Sequence, residues 1–171
     1  PDAAARANVE GPRLLGRECA RLGLGLVHVS TDFVFDGAQQ APYTEHDPPH
    51  PLGVYGQTKA AGDALVSTVP RHYIVRTSWV IGDGNNFVRT MASLAERGID
   101  PSVVNDQIGR LSFTDDIAAG IVHLLQSHAA FGTYNLTNEG PVMSWADIAK
   151  LVYSGTGHDP ERVSGTTTAE Y

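Results

Sequence analysis

The sequence predicts an α/β fold, a doubly wound, mostly parallel sheet with helices on its faces. Three observations predict it. Residues 24–30 and 72–78 are short, nearly continuous apolar runs, as expected of strands covered on both sides. Segments with apolar residues at helical spacing alternate with such runs along the chain. Polar and aromatic residues with chemical potential stand at or just past predicted strand ends, where parallel sheets bind ligands: Thr31, Trp79 and Asn105. We expect these three to converge on one crevice.

Each element has its own signal. Residues 2–22 are rich in Ala, Arg and Leu at helical spacing, and Gly11-Pro12 predicts a kink or restart, because proline lacks a backbone donor. The strand at 24–30 leads through Ser30-Thr31-Asp32 to Phe33-Val34-Phe35 and an Asp36-Gly37 turn. Residues 38–54 hold Pro42, Pro48, Pro49 and Pro51, which exclude regular helix; a long irregular loop in a compact domain is more often functional than idle. A helix is expected over 55–69, with small residues at Gly56, Ala60, Ala61 and Gly62 that permit close approach. After the 72–78 strand, Gly82-Asp83-Gly84-Asn85 is a loop, and 86–97 a helix with Phe87, Met91 and Leu94 on one stripe. Residues 102–104 read as a short strand. Thr114 is expected to cap a helix with Ile117, Ile121, Leu124 and Leu125 facing inward. Residues 132–137 are a strand candidate, and Ser144-Trp145-Ala146-Asp147 is a capping box for a last helix to about Val152.

Bulk properties bound the function. With 171 residues, one α/β segment is the default: we read 1–81 as the part with the candidate catalytic residues and 82–171 as mostly substrate-binding. A hydrophobic share of 42% and a charged share of 18% are globular values. The net charge of −7, with no Lys/Arg-rich run, argues against nucleic acid as partner. Cys19 is alone, which fits a reducing compartment, and no apolar run is long enough to span a bilayer, so the expectation is a cytoplasmic protein without a membrane partner. The chain opens inside helix at Pro1 and stops at Tyr171 where another element could begin; we expect a segment of a longer protein.

The chemistry centres on Tyr55 and Lys59, four apart and so on one helix face. Free tyrosine titrates near about 10, so only about one in a thousand is phenolate at neutral pH. A lysine ammonium beside the ring favours the charged form, and bringing the phenol to about 7 takes roughly 4 kcal/mol, attainable only away from water. A phenol so activated could give a proton to a carbonyl oxygen as hydride reaches carbon. The plain alternative is a surface Tyr/Lys pair. The position after Ser-Thr-Asp and a proline-rich loop favours the chemical reading.

Taken together, V-S-T-D-F-V-F-D-G (29–37), P-Y-T-E-H-D-P-P-H-P-L-G-V-Y-G-Q-T-K-A-A-G (42–62), R-T-S-W-V (76–80), N-N-F (85–87) and V-N-D-Q-I-G (104–109) resemble the extended short-chain dehydrogenases/reductases, most closely the dTDP-4-dehydrorhamnose reductase group. The resemblance covers nearly the whole chain, with motifs in the expected order. It implies a Rossmann-like fold and NAD(P)H-dependent reduction of a 4-keto nucleotide-activated deoxysugar, dTDP-4-dehydrorhamnose to dTDP-rhamnose, with NADPH or NADH as cofactor. It further implies Tyr55 as general acid, Lys59 as its activator and a ribose ligand, and Thr31 as donor to the substrate carbonyl. Val29 matches a backbone contact to the cofactor. Asp32 and Trp79 match sugar-contacting positions, though Asp32 could be a turn former and Trp79 a core aromatic. Asn86 and Phe87, at a helix start, are candidates for the nucleotide diphosphate, with an ordinary asparagine cap as the alternative. Asn105, Gln107 and Arg110 could line the nucleotide pocket. Asn8 matches an active-site-side asparagine, but a satisfied helix residue is the better reading.

Departures matter too. The family usually continues Gly-x-Pro-Thr where this chain has Gly109-Arg110-Leu111-Ser112. No glycine-rich strand-turn-helix for a cofactor pyrophosphate occurs in these residues, so we expect them alone to bind cofactor weakly or not at all. His46 and His50 are separated by two prolines, and no metal is assigned. Rival readings are a nucleotide-sugar epimerase or dehydratase with the same Tyr/Lys pair, and a non-catalytic regulatory subunit of the same fold. A nucleotide sugar is the expected partner, and a homodimer the candidate assembly.

Overall fold

The computed structural model describes residues 2–171. The chain forms helices α1 (Asp2–Ala5), α2 (Gly11–Leu22), α3 (Val54–Val66), α4 (Phe87–Glu96), α5 (Thr114–Gln126) and α6 (Trp145–Gly155). Its strands are β1 (Leu26–Thr31), β2 (His72–Thr77), β3 (Val80–Ile81), β4 (Ser102–Val104), β5 (Ile108–Gly109), β6 (Ser112–Phe113), β7 (Gly132–Asn135), β8 (Met143–Ser144) and β9 (Ser164–Thr166). They belong to two compact units: residues up to Ser78 together with Ile117–Leu136, and Trp79–Asp116 together with Thr137–Tyr171.

The first unit is built on a parallel sheet in the order β1-β2-β7. Leu26 to Thr31 face His72 to Thr77 residue for residue, and Tyr73 to Arg76 face Gly132 to Asn135. Val66, Val69, Ile74 and Val75 are buried here, as the apolar character of β2 requires. The kink or restart expected at Gly11-Pro12 is a local widening of one continuous helix: Arg6–Glu10 forms a π turn between α1 and α2. Pro12 cannot donate to the carbonyl of Asn8, four residues back, and a π turn absorbs the misfit. That carbonyl faces Gly62 of α3, where a Cβ would overlap it.

Helix α3 begins one residue earlier than expected and ends three earlier, with residues 67–69 in turns. The proline loop after β1 contains no regular element, yet it is anchored. Tyr43 stacks on Phe35 with ring centroids 4.3 Å apart, and its hydroxyl donates to Asp36 at 2.6 Å. Asn135, at the end of β7, donates its side-chain amide to the Tyr43 carbonyl and its backbone amide to the Glu45 carboxylate. On α5, Ile117 is buried, but Leu125 is exposed, against expectation; the stripe turns outward in the last turn of the helix.

The second unit has parallel pairs β3-β6 and β4-β9 and an antiparallel pair β5-β8. These short strands carry too few residues for a periodic signal, and only β4 was expected. Its core joins α4 to α6: Met91, Ala95, Val103, Ala146, Ala149, Tyr153 and Val163 are buried, with Phe87, Leu94, Trp145 and Val152 against them. The capping box is realised, Ser144 accepting from the Asp147 amide while Asp147 accepts from that of Ser144; α6 runs on to Gly155. Among the described residues no helix is long and apolar enough to cross a membrane.

Gly62→Ala should therefore lower the unfolding free energy by about 1–3 kcal/mol, because the added methyl has backbone rather than a movable side chain in its way. Urea denaturation of the two proteins measures it.

Candidate functional site

The first unit gathers Val29, Thr31, Asp32, Tyr55 and Lys59 where β1 ends and α3 begins. β1 delivers Thr31 as its last residue, and the chain turns at once into a short 3-10 segment, Asp32–Val34. The Thr31 hydroxyl accepts from the Phe33 amide at 3.2 Å and donates to Asp32 Oδ1 at 3.1 Å. Its turn-capping role is thus real, and any chemical role is additional to it.

Helix α3 is held hard against this turn. Gly56 rests on the Phe33 carbonyl so closely that a Cβ would overlap the oxygen, and Pro51 closes the other side. The Phe33 ring meets the Tyr55 ring edge-on at 5.9 Å. One turn along, Lys59 Nζ donates to the Val29 carbonyl at 2.6 Å. Two contacts of the first turn of α3 with Phe33 and one of the next turn with Val29 fix where the phenol and the ammonium sit relative to the strand end. Tyr55 is 53% exposed, open to a ligand. Asn8 donates to the Thr58 hydroxyl at 3.0 Å, the satisfied helix residue the sequence favoured.

Burial sets the electrostatics. It pushes the Lys59 ammonium below lysine's ordinary range, and the negative charge of Asp63 acts in the opposite direction. Burial also raises the Asp32 carboxyl above the usual range, with hydrogen bonds from Thr31 and backbone amides pulling it back. Asp63 was not singled out in the sequence, although it extends the Tyr55, Lys59 stripe by one more turn. It is 4% exposed, with Arg76 Nε 3.2 Å from Oδ2 and His28 Nε2 3.3 Å from Oδ1.

The second unit holds Trp79, Asn86, Phe87, Asn105 and Gln107. Trp79 has φ +39, a left-handed conformation that is unfavourable for a bulky side chain. Its indole stacks on Trp145, centroids 3.7 Å apart and planes 11° apart, with Phe87 tilted against the same Trp145. On the other side it lies so close to Gly109 that a Cβ there would be 2.7 Å from the ring. Trp145, which the sequence reading treated only as part of a cap, is therefore the residue that fixes Trp79. Asn86 is the N-cap of α4, accepting from Arg89 and donating to the carbonyls of Gly82 and Gly84, so its side chain is fully employed. Asn105 follows β4 with its amide against Gly165, and Gln107 donates to Thr168 at 3.1 Å.

Comparison with known proteins is consistent across sequence and structure. The family model described as the RmlD substrate binding domain matches residues 1–171. A dTDP-4-dehydrorhamnose reductase of Aggregatibacter actinomycetemcomitans is 38% identical over 96% of this chain, which corresponds to 60% of that protein. A crystal structure of a dTDP-4-dehydrorhamnose reductase from Clostridium acetobutylicum superposes with a TM-score of 0.92 at 39% identity, over 99% of this chain and 60% of that one. A dTDP-4-dehydrorhamnose reductase from Bacillus anthracis in complex with NADP gives 0.88 at 36% identity, over 95% of this chain and 58% of that one. The chain thus spans somewhat more than half the length of these relatives.

Asp32 provides a pH test. A carboxyl that holds its proton to higher pH when folded contributes stability that is full below its unfolded titration, near about 3.9, and lost as pH rises through its folded value. Asp32→Asn lacks this loss, so its stability relative to the parent should improve from pH 4 to pH 7. Paired urea melts at the two pH values check the sign.

Proposed function

This chain belongs to the RmlD substrate binding domain family, and on that premise we propose that it supplies the proton donor and the sugar-holding residues of an NAD(P)H-dependent reductase. The substrate is a 4-keto nucleotide-activated deoxysugar, dTDP-4-dehydrorhamnose, and the product dTDP-rhamnose. The observation that supports this best is the locked junction of α3 with β1, which holds Lys59 on the Val29 carbonyl and leaves Tyr55 half exposed beside Phe33.

The donor set suits the nicotinamide end of the cofactor. Lys59 can donate to ribose hydroxyls with its remaining ammonium hydrogens, and the half-exposed Tyr55 presents a phenol. For the pyrophosphate end, these 171 residues contain no glycine-rich strand-turn-helix. When bound, NAD(P)H supplies the hydride that reaches C4 of the sugar.

Every other part of the step belongs to side chains. Tyr55 gives its phenolic proton to the carbonyl oxygen as that oxygen becomes negative, and the Lys59 ammonium stabilises the phenolate left behind. Water reprotonates the half-exposed ring. Thr31 has a single hydroxyl hydrogen, now on Asp32, so donating it to the substrate oxygen means giving up that bond. Asp32 is then available to a sugar hydroxyl. Trp79 presents its indole edge, since Trp145 and Gly109 occupy its faces. At the start of α4 the Asn86 side chain organises the loop, and the Phe87 end offers backbone amides to the diphosphate. Asn105 and Gln107 are assigned to the nucleotide. The lone Cys19 supports the cytoplasm as the site of the reaction.

Turnover of a dTDP-4-keto-6-deoxysugar with NADPH by the full-length protein tests the reading. Tyr55→Phe should lower kcat on the order of a thousandfold because the proton donor is gone. Thr31→Val should lower it on the order of a hundredfold, with Thr31→Ser retaining most of it. An unchanged rate in Tyr55→Phe removes the phenol from the mechanism. Failure of the full-length protein on every keto sugar offered supports a non-catalytic member of the fold.

A further inference from the structure

The first unit buries a charge cluster that the step above does not use. Asp63 lies on α3 at the third place of the stripe begun by Tyr55 and Lys59. Arg76 of β2 and His28 of β1 approach its two carboxylate oxygens from the sheet. Both reach it because the strand register sets Arg76 opposite Ser30 and so on the same face as His28, two residues along. Arg76 is itself 7% exposed, with its guanidinium 5.2 Å from the Phe35 ring centroid. The Arg76 bond takes up Oδ2. Oδ1 has His28 nearby but no aligned hydrogen bond, so part of the negative charge remains unspent.

We propose that Asp63 is a positioning residue for Lys59, a buried counter-charge that keeps this side chain cationic while the Val29 carbonyl fixes its Nζ. An Asp/Arg pair is a poor device for merely holding a helix on a sheet, since apolar residues of similar volume do that as well or better. It is a good device for holding a charge one turn from a half-buried ammonium. Burial drives Lys59 toward neutrality, and Asp63 is the charge that opposes it. The other groups around α3 leave this role to Asp63. Asp32, on the turn after β1, is a carboxyl whose own charge burial disfavours. The helix over residues 2–22 presents the neutral Asn8 to Thr58, and its Glu10 and Arg13 pair with each other at the surface. Arg76 and Lys59 have like charge, so Arg76 weakens what Asp63 supplies, and Tyr55 is neutral until it gives up its proton. The consequence for proton transfer rests on the reductase reading; the counter-charge does not.

The chain contains two lysines, Lys59 and Lys150, so lysine side chains labelled with carbon-13 give two resonances, assigned with Lys150→Arg. Their titration by NMR needs no substrate. The Lys59 midpoint should fall by about one pH unit in Asp63→Asn and rise in Arg76→Gln. The double variant Asp63→Asn/Arg76→Gln strands no charge, and its midpoint should also lie below that of the parent. A purely structural pair predicts lower melting temperatures with the Lys59 midpoint unmoved, or moved alike by both single variants. Either pattern, or an unmoved midpoint in the double variant, overturns the proposal. Absence of turnover in the full-length protein, with the midpoints moving as stated, overturns the reductase reading and leaves the counter-charge standing.

Discussion

The structure of the site depends on one steric fact: at position 56 the helix has no side chain. The Phe33 carbonyl occupies the space a Cβ would need, and Pro51 fills the rest. A helix approaching a strand exit this closely carries Tyr55 and Lys59 with it, because both are set by the same helical rotation. The distance that matters chemically, Lys59 Nζ to the Val29 carbonyl, is reached only if α3 stays pressed on the turn. Gly62 repeats the device one and a half turns later, against the Asn8 carbonyl that Pro12 leaves without its usual helical donor. Two glycines on one helix therefore tie α3 to the strand end at one side and to the first helix at the other. Neither contact involves a functional group of a side chain, so the stripe of Tyr55 and Lys59 is free to face elsewhere.

That packing has an electrostatic cost, and the cluster beneath Lys59 is how the first unit offsets it. A helix pressed onto a sheet excludes water from its inner face. An ammonium at the edge of that face loses solvation, and burial indeed disfavours the charged form of Lys59. The same closeness brings Asp63 within reach of Arg76 and His28, so the carboxyl is buried beside two basic side chains. Desolvation and its remedy thus come from one geometric cause.

Much of this was legible in the sequence because the signals were local. The small residues after Tyr55 announced a close approach, and the i, i+4 spacing of Tyr55 and Lys59 announced a shared face. The Ser144 capping box, the β4 strand and the stripe of Phe87, Met91 and Leu94 are likewise set by neighbours a few residues away. What was not legible is long-range. A cut after residue 81 divides a line, whereas the compact units exchange segments: α5 crosses from the second to the first, and the chain returns to the second after Leu136. The π turn at Arg6–Glu10 could be read only as a kink or restart, since proline signals a misfit without saying how the helix absorbs it. Asp63 stood on the stripe already drawn, but a carboxylate on a helix face is usually solvated, and only the strand register shows that Arg76 and His28 lie opposite it. Trp145 was hidden inside a capping motif whose other residues explained it fully.

Trp79 shows how the second unit uses the same logic with aromatic rings. A bulky residue at positive φ is costly, on the order of 1–3 kcal/mol, and persists only where its surroundings over-determine it. Here the surroundings are a parallel indole on one face, a glycine on the other, and backbone pairing through the Trp79 carbonyl to Ser112. Trp145 is fixed in turn by the Ser144 cap at the start of α6, whose inner face is the core of the unit. The strain is thus balanced by a chain of contacts that ends in buried Ala149 and Tyr153.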